Sequence, residues 1–195
     1  MDDARQKCNE ETAYHETGHA VVGIILGRRV GEISGSGAEG FTNFKSSPDI
    51  STFSLRDLLA GNVAGWVAEE LRRHELKNHV FSAFPSLESS ELISARIEDN
   101  RWENIRDAVQ AVENARKALN SPCDPSNMTT ALTDAEAIFV LDEIRRAERR
   151  AAQILWRRWE VVRMIATELR RWGYVLGCDI IEAIGSESMK RANDE

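Results

Sequence analysis

Between Glu10 and Leu26 the apolar positions crowd toward one end: Ala13, then Val21, Val22, Ile24, Ile25 and Leu26, with no proline among them and Gly27 as a stop. That pattern predicts a helix, and Gly18 and Gly23 inside it predict close packing against a neighbour. The period then changes. Two short runs, Val30 to Ser34 and Gly40 to Phe44, flank a glycine-rich turn and predict a small β-hairpin. Behind Ser54 as N-cap, Leu55, Leu58, Leu59, Val63, Trp66, Val67 and Leu71 return to helical spacing and predict a second helix with one buried face. Pro85 marks a loop, "ELISARIE" reads as a short helical piece, and "NRWENIRDAVQAVENARKAL" as an amphipathic helix whose Asn100 and Glu103 form a capping box.

Residues 121–133 carry two prolines and many turn formers, so they are expected to link a core at 1–120 to a helical region at 134–195 that packs on it. In that region Thr133 and Glu136 are the expected cap of one long helix, with apolar positions from Ile138 through Leu169 and a stop at Gly173. Its Arg and Glu residues read as a solvated face, and Trp156, Trp159 and Trp172 as packing against core or a partner. "GYVLGCDIIEAI" predicts a turn and a short terminal helix. The fold class is therefore mainly α with a small β-hairpin, and the chain has no internal repeat, Walker A motif or Rossmann glycine pattern.

Composition narrows the function classes. With 195 residues, 42% of them hydrophobic, the chain is long enough to bury a core. A net charge of -7 offers no basic surplus for nucleic acid or an anionic membrane, and no binding to nucleic acid is expected. The opening residues lack the basic start and apolar core of a signal peptide, and "HAVVGIILG" is far shorter than the roughly 20 apolar residues of a membrane span, so a soluble cytoplasmic protein is expected. Cys8, Cys123 and Cys178 are odd in number and scattered, which fits a reducing compartment better than a disulfide framework or a cysteine zinc site.

The chemistry concentrates in "AYHETGHAVVG". Residues four apart share a helix face, so His15 and His19 point two imidazoles at one ion with Glu16 beside them, the HExxH arrangement. HExxH alone has many chance matches, but apolar flanks and small neighbours (Gly18, Ala20) suit a buried metal-binding helix. His74 and His79 read as surface residues. Glu69 and Glu70 stand out because a glutamate on a following helix sometimes completes an HExxH zinc site.

"AYHETGHAVVG" resembles the zinc-helix signature of the peptidase domain of FtsH-type AAA metalloproteases, with Thr17 where that family usually has alanine. The hairpin ending in "EGFTNF", the helix "LLAGNVAGWVAEEL" and the tail "RAAQILWRRWEVVRMIATELRRWGYVLGCDIIEAI" are similar to later parts of the same domain, strongly at the zinc helix and weakly elsewhere. The resemblance implies a helical metalloprotease domain, a Zn²⁺ cofactor, His15 and His19 as ligands, and Glu16 as the base that hydrolyses peptide bonds. In that family the "AEEL" segment, here holding Glu69 and Glu70, is structural or supports a ligand from behind.

Two departures shape the expectation. The ATPase module and membrane segments of the family are absent from these residues, so the expected substrate is a flexible peptide or unfolded protein, or else a separate ATPase partner is needed; the assembly expected is a monomer or small homo-oligomer. The family's third ligand is an aspartate opening a later helix, where Arg101 stands here. Asp99, two residues earlier, is the first candidate in its place and Glu91 the rival, with helix capping as the alternative role for Asp99. With neither, the chain would be an inactive, FtsH-peptidase-like binding or scaffold protein.

Overall fold

In a computed structural model of the chain, the structure describes residues 7–45, 54–78 and 134–194. These residues form five helices and a three-stranded antiparallel sheet: α1 (Glu10–Ile25), β1 (Val30–Ser36), β2 (Glu39–Phe44), α2 (Leu55–Asn78), α3 (Asp134–Arg157), α4 (Trp159–Trp172), β3 (Tyr174–Leu176) and α5 (Gly177–Asp194). The fold is mainly helical, as the periodicities predict. The predicted linker at 121–133, the helix from Asn100, and the Thr133 cap lie outside the described residues.

Local chemistry sets the ends of α1. The Asn9 side chain accepts from the Thr12 amide at 2.7 Å, satisfying a donor that a helix start leaves open, and Glu10 and Glu11 sit in the first turn where the helix dipole favours them. At the other end Gly27 takes a φ of 91°, a left-handed conformation that stops the helix without a Cβ penalty. Every residue from Thr12 to Gly23 is buried. A helix buried on all sides needs neighbours on all sides, and α1 has them: α2, the β1–β2 hairpin and α4 enclose it.

The hairpin turns over Gly37 (φ 61°) and Ala38, as a two-residue connection requires, and a bulge between Val30 and Glu32 shifts its register. β2 lies at one edge of the sheet, in the order β2-β1-β3. At the start of α2, Ser54 Oγ meets the Asp57 amide at 3.2 Å and the Asp57 carboxylate at 2.6 Å, the predicted cap. One core joins both halves of the described chain, with Val21, Val63, Trp66, Leu155, Val162 and Leu169 among its members.

The C-terminal region differs from its prediction in two ways. The single long helix is two, broken at Arg158, where no proline or glycine stands. Tertiary packing makes the break: Trp159 turns inward against Tyr14, ring centroids 5.6 Å apart, and Arg158 reaches Glu187 at 3.1 Å. The tryptophans accordingly divide, Trp159 being buried, Trp156 partly buried and Trp172 exposed. Beyond Gly173, the predicted turn contains a third strand, β3, paired with β1 through Glu32, Ile33 and Ser34, and the helix that follows runs 18 residues rather than being short. No described helix is long and apolar enough to cross a membrane.

Candidate metal centre

His15, Glu16 and His19 all lie in the buried stretch of α1, at 3%, 4% and 8% exposure, values that polar side chains tolerate only when partnered. His15 Nδ1 stands 2.6 Å from Glu69 Oε1 of α2, and His19 Nδ1 stands 2.8 Å from the backbone carbonyl of Gly61, also in α2. Glu69 in turn accepts from Arg73 Nη2 at 3.1 Å. The Nε2 atoms of the two histidines face each other at 3.0 Å.

These contacts fix the tautomers. A carboxylate and a carbonyl oxygen both accept, so each Nδ1 carries a hydrogen, and a ring that is neutral has its lone pair on Nε2. Two lone pairs converging at 3.0 Å repel one another unless positive charge lies between or beside them. Tetrahedral zinc at about 2.05 Å from each nitrogen would hold the nitrogens about 3.3 Å apart, so the pair fits that ion after a small opening. A ligating histidine usually gives its second N–H to a carboxylate or carbonyl, which both rings do here.

Gly65 of α2 explains how the rings come so close to a neighbouring backbone. A Cβ at that position would lie 2.5 Å from His15 Nε2 and 2.6 Å from His19 Nε2. Gly18 does the same for the helix pair, since its Cβ would fall 2.5 Å from the Ala64 carbonyl oxygen, in line with the close packing predicted for it.

Glu16 turns toward the hairpin. Its Oε2 accepts from Thr42 Oγ1 of β2 at 2.6 Å, and a Cβ on Gly40 would come within 2.8 Å of its Cγ. These side chains border a pocket of about 340 Å³ that also holds Arg28, Phe41, Phe44 and Asn62. Arg28 sits over the Phe44 ring, its guanidinium carbon 3.4 Å from the ring centroid, and burial lowers its pKa from the usual guanidinium range.

The structure thus brings His15, Glu16 and His19 to one pocket, with Glu69 behind the first ring on its Nδ1 side rather than on the side where the two Nε2 atoms meet. Glu70 pairs with Arg73 at 2.7 Å instead, and His74 is half-buried away from the pocket. Asp99 and Glu91 lie outside the described residues, as do His79 and Cys123. Among the described residues no group of three His, Cys, Asp or Glu side chains is placed to hold an ion. Sequence reasoning missed Thr42, Gly65, Arg28 and Asn62, whose roles arise only from contacts across the fold. Compared with known protein families and with curated proteins, the chain matches none.

Proposed function

We propose that the chain is a zinc-dependent metallopeptidase of the FtsH peptidase type, cleaving flexible peptides or unfolded segments. The observation that carries the reading is the pair of Nε2 atoms at 3.0 Å, each ring held in the N-donating tautomer by a hydrogen-bond acceptor on its other nitrogen. His15 and His19 would hold the ion, and a third protein ligand would come from outside the described residues, Asp99 first and Glu91 second. When bound, zinc supplies a Lewis acid that polarises a carbonyl and lowers the pKa of water toward roughly 7.

The chain's own residues then do the rest. Glu16, steadied by Thr42, accepts the proton of the attacking water; the water oxygen adds to the acyl carbon, the C–N bond breaks, and Glu16 delivers the proton to the departing amine nitrogen. Among the described residues β2 is an edge strand, and it carries Thr42, so an extended peptide pairing along it would pass the pocket. Its scissile carbonyl would then lie within reach of the two histidines.

One observation favours a second reading. Nδ1 of His15 at 2.6 Å from Glu69 is also the geometry of an imidazolium–carboxylate pair, in which a proton on Nε2 rather than a metal ion bridges to His19. The chain would then be a non-catalytic binding or scaffold protein. Elemental analysis of the purified protein, beside a His15→Ala/His19→Ala control, separates the two. About one zinc per chain, lost in the control, is expected; absence of metal even after zinc is supplied would overturn the metallopeptidase reading in favour of the non-catalytic one.

A further inference from the structure

Arg28 has a setting that ordinary surface arginines lack. It follows directly on the turn that ends α1, where a charged side chain could extend into water, yet it is half-buried against Phe44 and lines the same pocket as His19 and Glu16. Among the described residues no carboxylate pairs with it, and its lowered pKa has burial as its cause, with no opposing charge holding it up. Glu16, the acid sharing the pocket, is engaged by Thr42.

A second donor lies in the same wall. Asn62 Nδ2 is buried and has no hydrogen-bond partner among the described residues. Arg28 Nη1 lies 3.5 Å from where a Cβ of the adjacent Gly61 would stand, which puts the guanidinium beside the Asn62 segment of α2. Among the described residues, folding gives the guanidinium the face of Phe44 but no acceptor, and leaves the Asn62 amide donor without one as well. Such a pair becomes favourable when a ligand brings an anion with oxygens to spare, and a guanidinium fork matches a planar carboxylate.

Resting on the peptidase reading, we infer that the pocket is a carboxylate-binding subsite in which Arg28, supported by Asn62, selects substrates carrying an acidic group close to the scissile bond. Two parts of a peptide offer that chemistry: an Asp or Glu side chain, and the C-terminal carboxylate. Arg28 is here a specificity residue, touching substrate while taking no part in proton transfer.

The test measures binding and cleavage separately. Protein carrying Glu16→Gln and supplied with zinc is titrated with short alanine-based peptides in matched pairs: glutamate against glutamine at each position with the C terminus amidated, and a free against an amidated C terminus with neutral side chains. One pair is expected to show at least about tenfold tighter binding of the carboxylate member, and which pair does so identifies the source of the anion. That ratio should collapse toward one when Arg28→Gln is added and survive in part with Arg28→Lys. Because it compares twin peptides on one protein, it is insensitive to a general loss of fold. A ratio near one with Arg28 intact, a ratio that survives Arg28→Gln, or no binding of any peptide would each overturn the inference.

Hydrolysis of the same peptides by protein with Glu16 intact separates this inference from the reading beneath it. Cleavage with no carboxylate preference would remove the subsite and leave the peptidase standing. An Arg28-dependent preference with no cleavage would do the reverse.

Discussion

Nδ1 of His15 meets Oε1 of Glu69 at 2.6 Å, across the seam between two helices and fifty-four residues of chain. The contact sets the tautomer of His15 and leaves its Nε2 facing that of His19 at 3.0 Å.

Removing the carboxylate should therefore weaken metal binding without touching a ligand atom. Glu69→Ala is expected to lower zinc affinity by roughly 10- to 100-fold, read by competition with a chromophoric chelator. Glu70→Ala, which removes only a more exposed pairing with Arg73, should leave the affinity where it was. Equal affinities for the two variants would mean that Glu69 does not orient the site.

Gly65 makes a sharper demand. In most helix interiors an alanine in place of glycine gains about 1 kcal/mol in helix propensity. Here the added methyl would fall 2.5 Å from the His15 ring, which Glu69 holds from behind, and 2.6 Å from Nε2 of His19. The rings would have to part, so Gly65→Ala should lose zinc although no polar group is removed. Gly185→Ala, at a helical position whose Cβ would meet nothing within 4 Å, is the control and should keep it. Full zinc occupancy in Gly65→Ala would show that the rings do not converge where the structure puts them.

The elements set by local chemistry were legible in the sequence: the helix that Gly27 stops, the hairpin, and the helix that Ser54 caps. The break at Arg158 was not, because no residue there resists helix formation; the inward turn of Trp159 against Tyr14 decides it. β3 escaped notice because three residues are too few for an alternation to register. The same division runs through the site. The spacing of His15, Glu16 and His19 is a helix property and can be read directly. Of the partners that give it meaning, Glu69 stands out in the sequence, whereas Gly61, Gly65 and Thr42, from α2 and β2, do not, and in a linear reading Gly65 is one more helix glycine. Arg28 carries no local signal either, since nothing near it in the chain predicts that Phe44 lies beneath it.

Metal content also decides the third ligand. Asp99→Ala should lower the zinc bound per chain, whereas Glu91→Ala should not, each measured after gel filtration in metal-free buffer. The opposite result would move the role to Glu91. If neither variant loses zinc, His15 and His19 hold it without either carboxylate, and the parallel with the FtsH-type ligand set fails.

The assignment of Glu16 is tested by separating chemistry from metal binding. Its carboxylate turns to Thr42 and is absent from the Nδ1 contacts that position the two rings, so Glu16→Gln keeps the shape of the pocket while removing the proton acceptor. A general base of this kind contributes about 10²- to 10⁴-fold, and hydrolysis of an unstructured peptide should fall by that order while zinc stays bound. His19→Ala should lose both, since it removes one of two ring nitrogens. Undiminished hydrolysis in Glu16→Gln would sink the assigned base and direct the search to another acceptor at the pocket; hydrolysis lost together with zinc would mean that the carboxylate holds the metal rather than the proton.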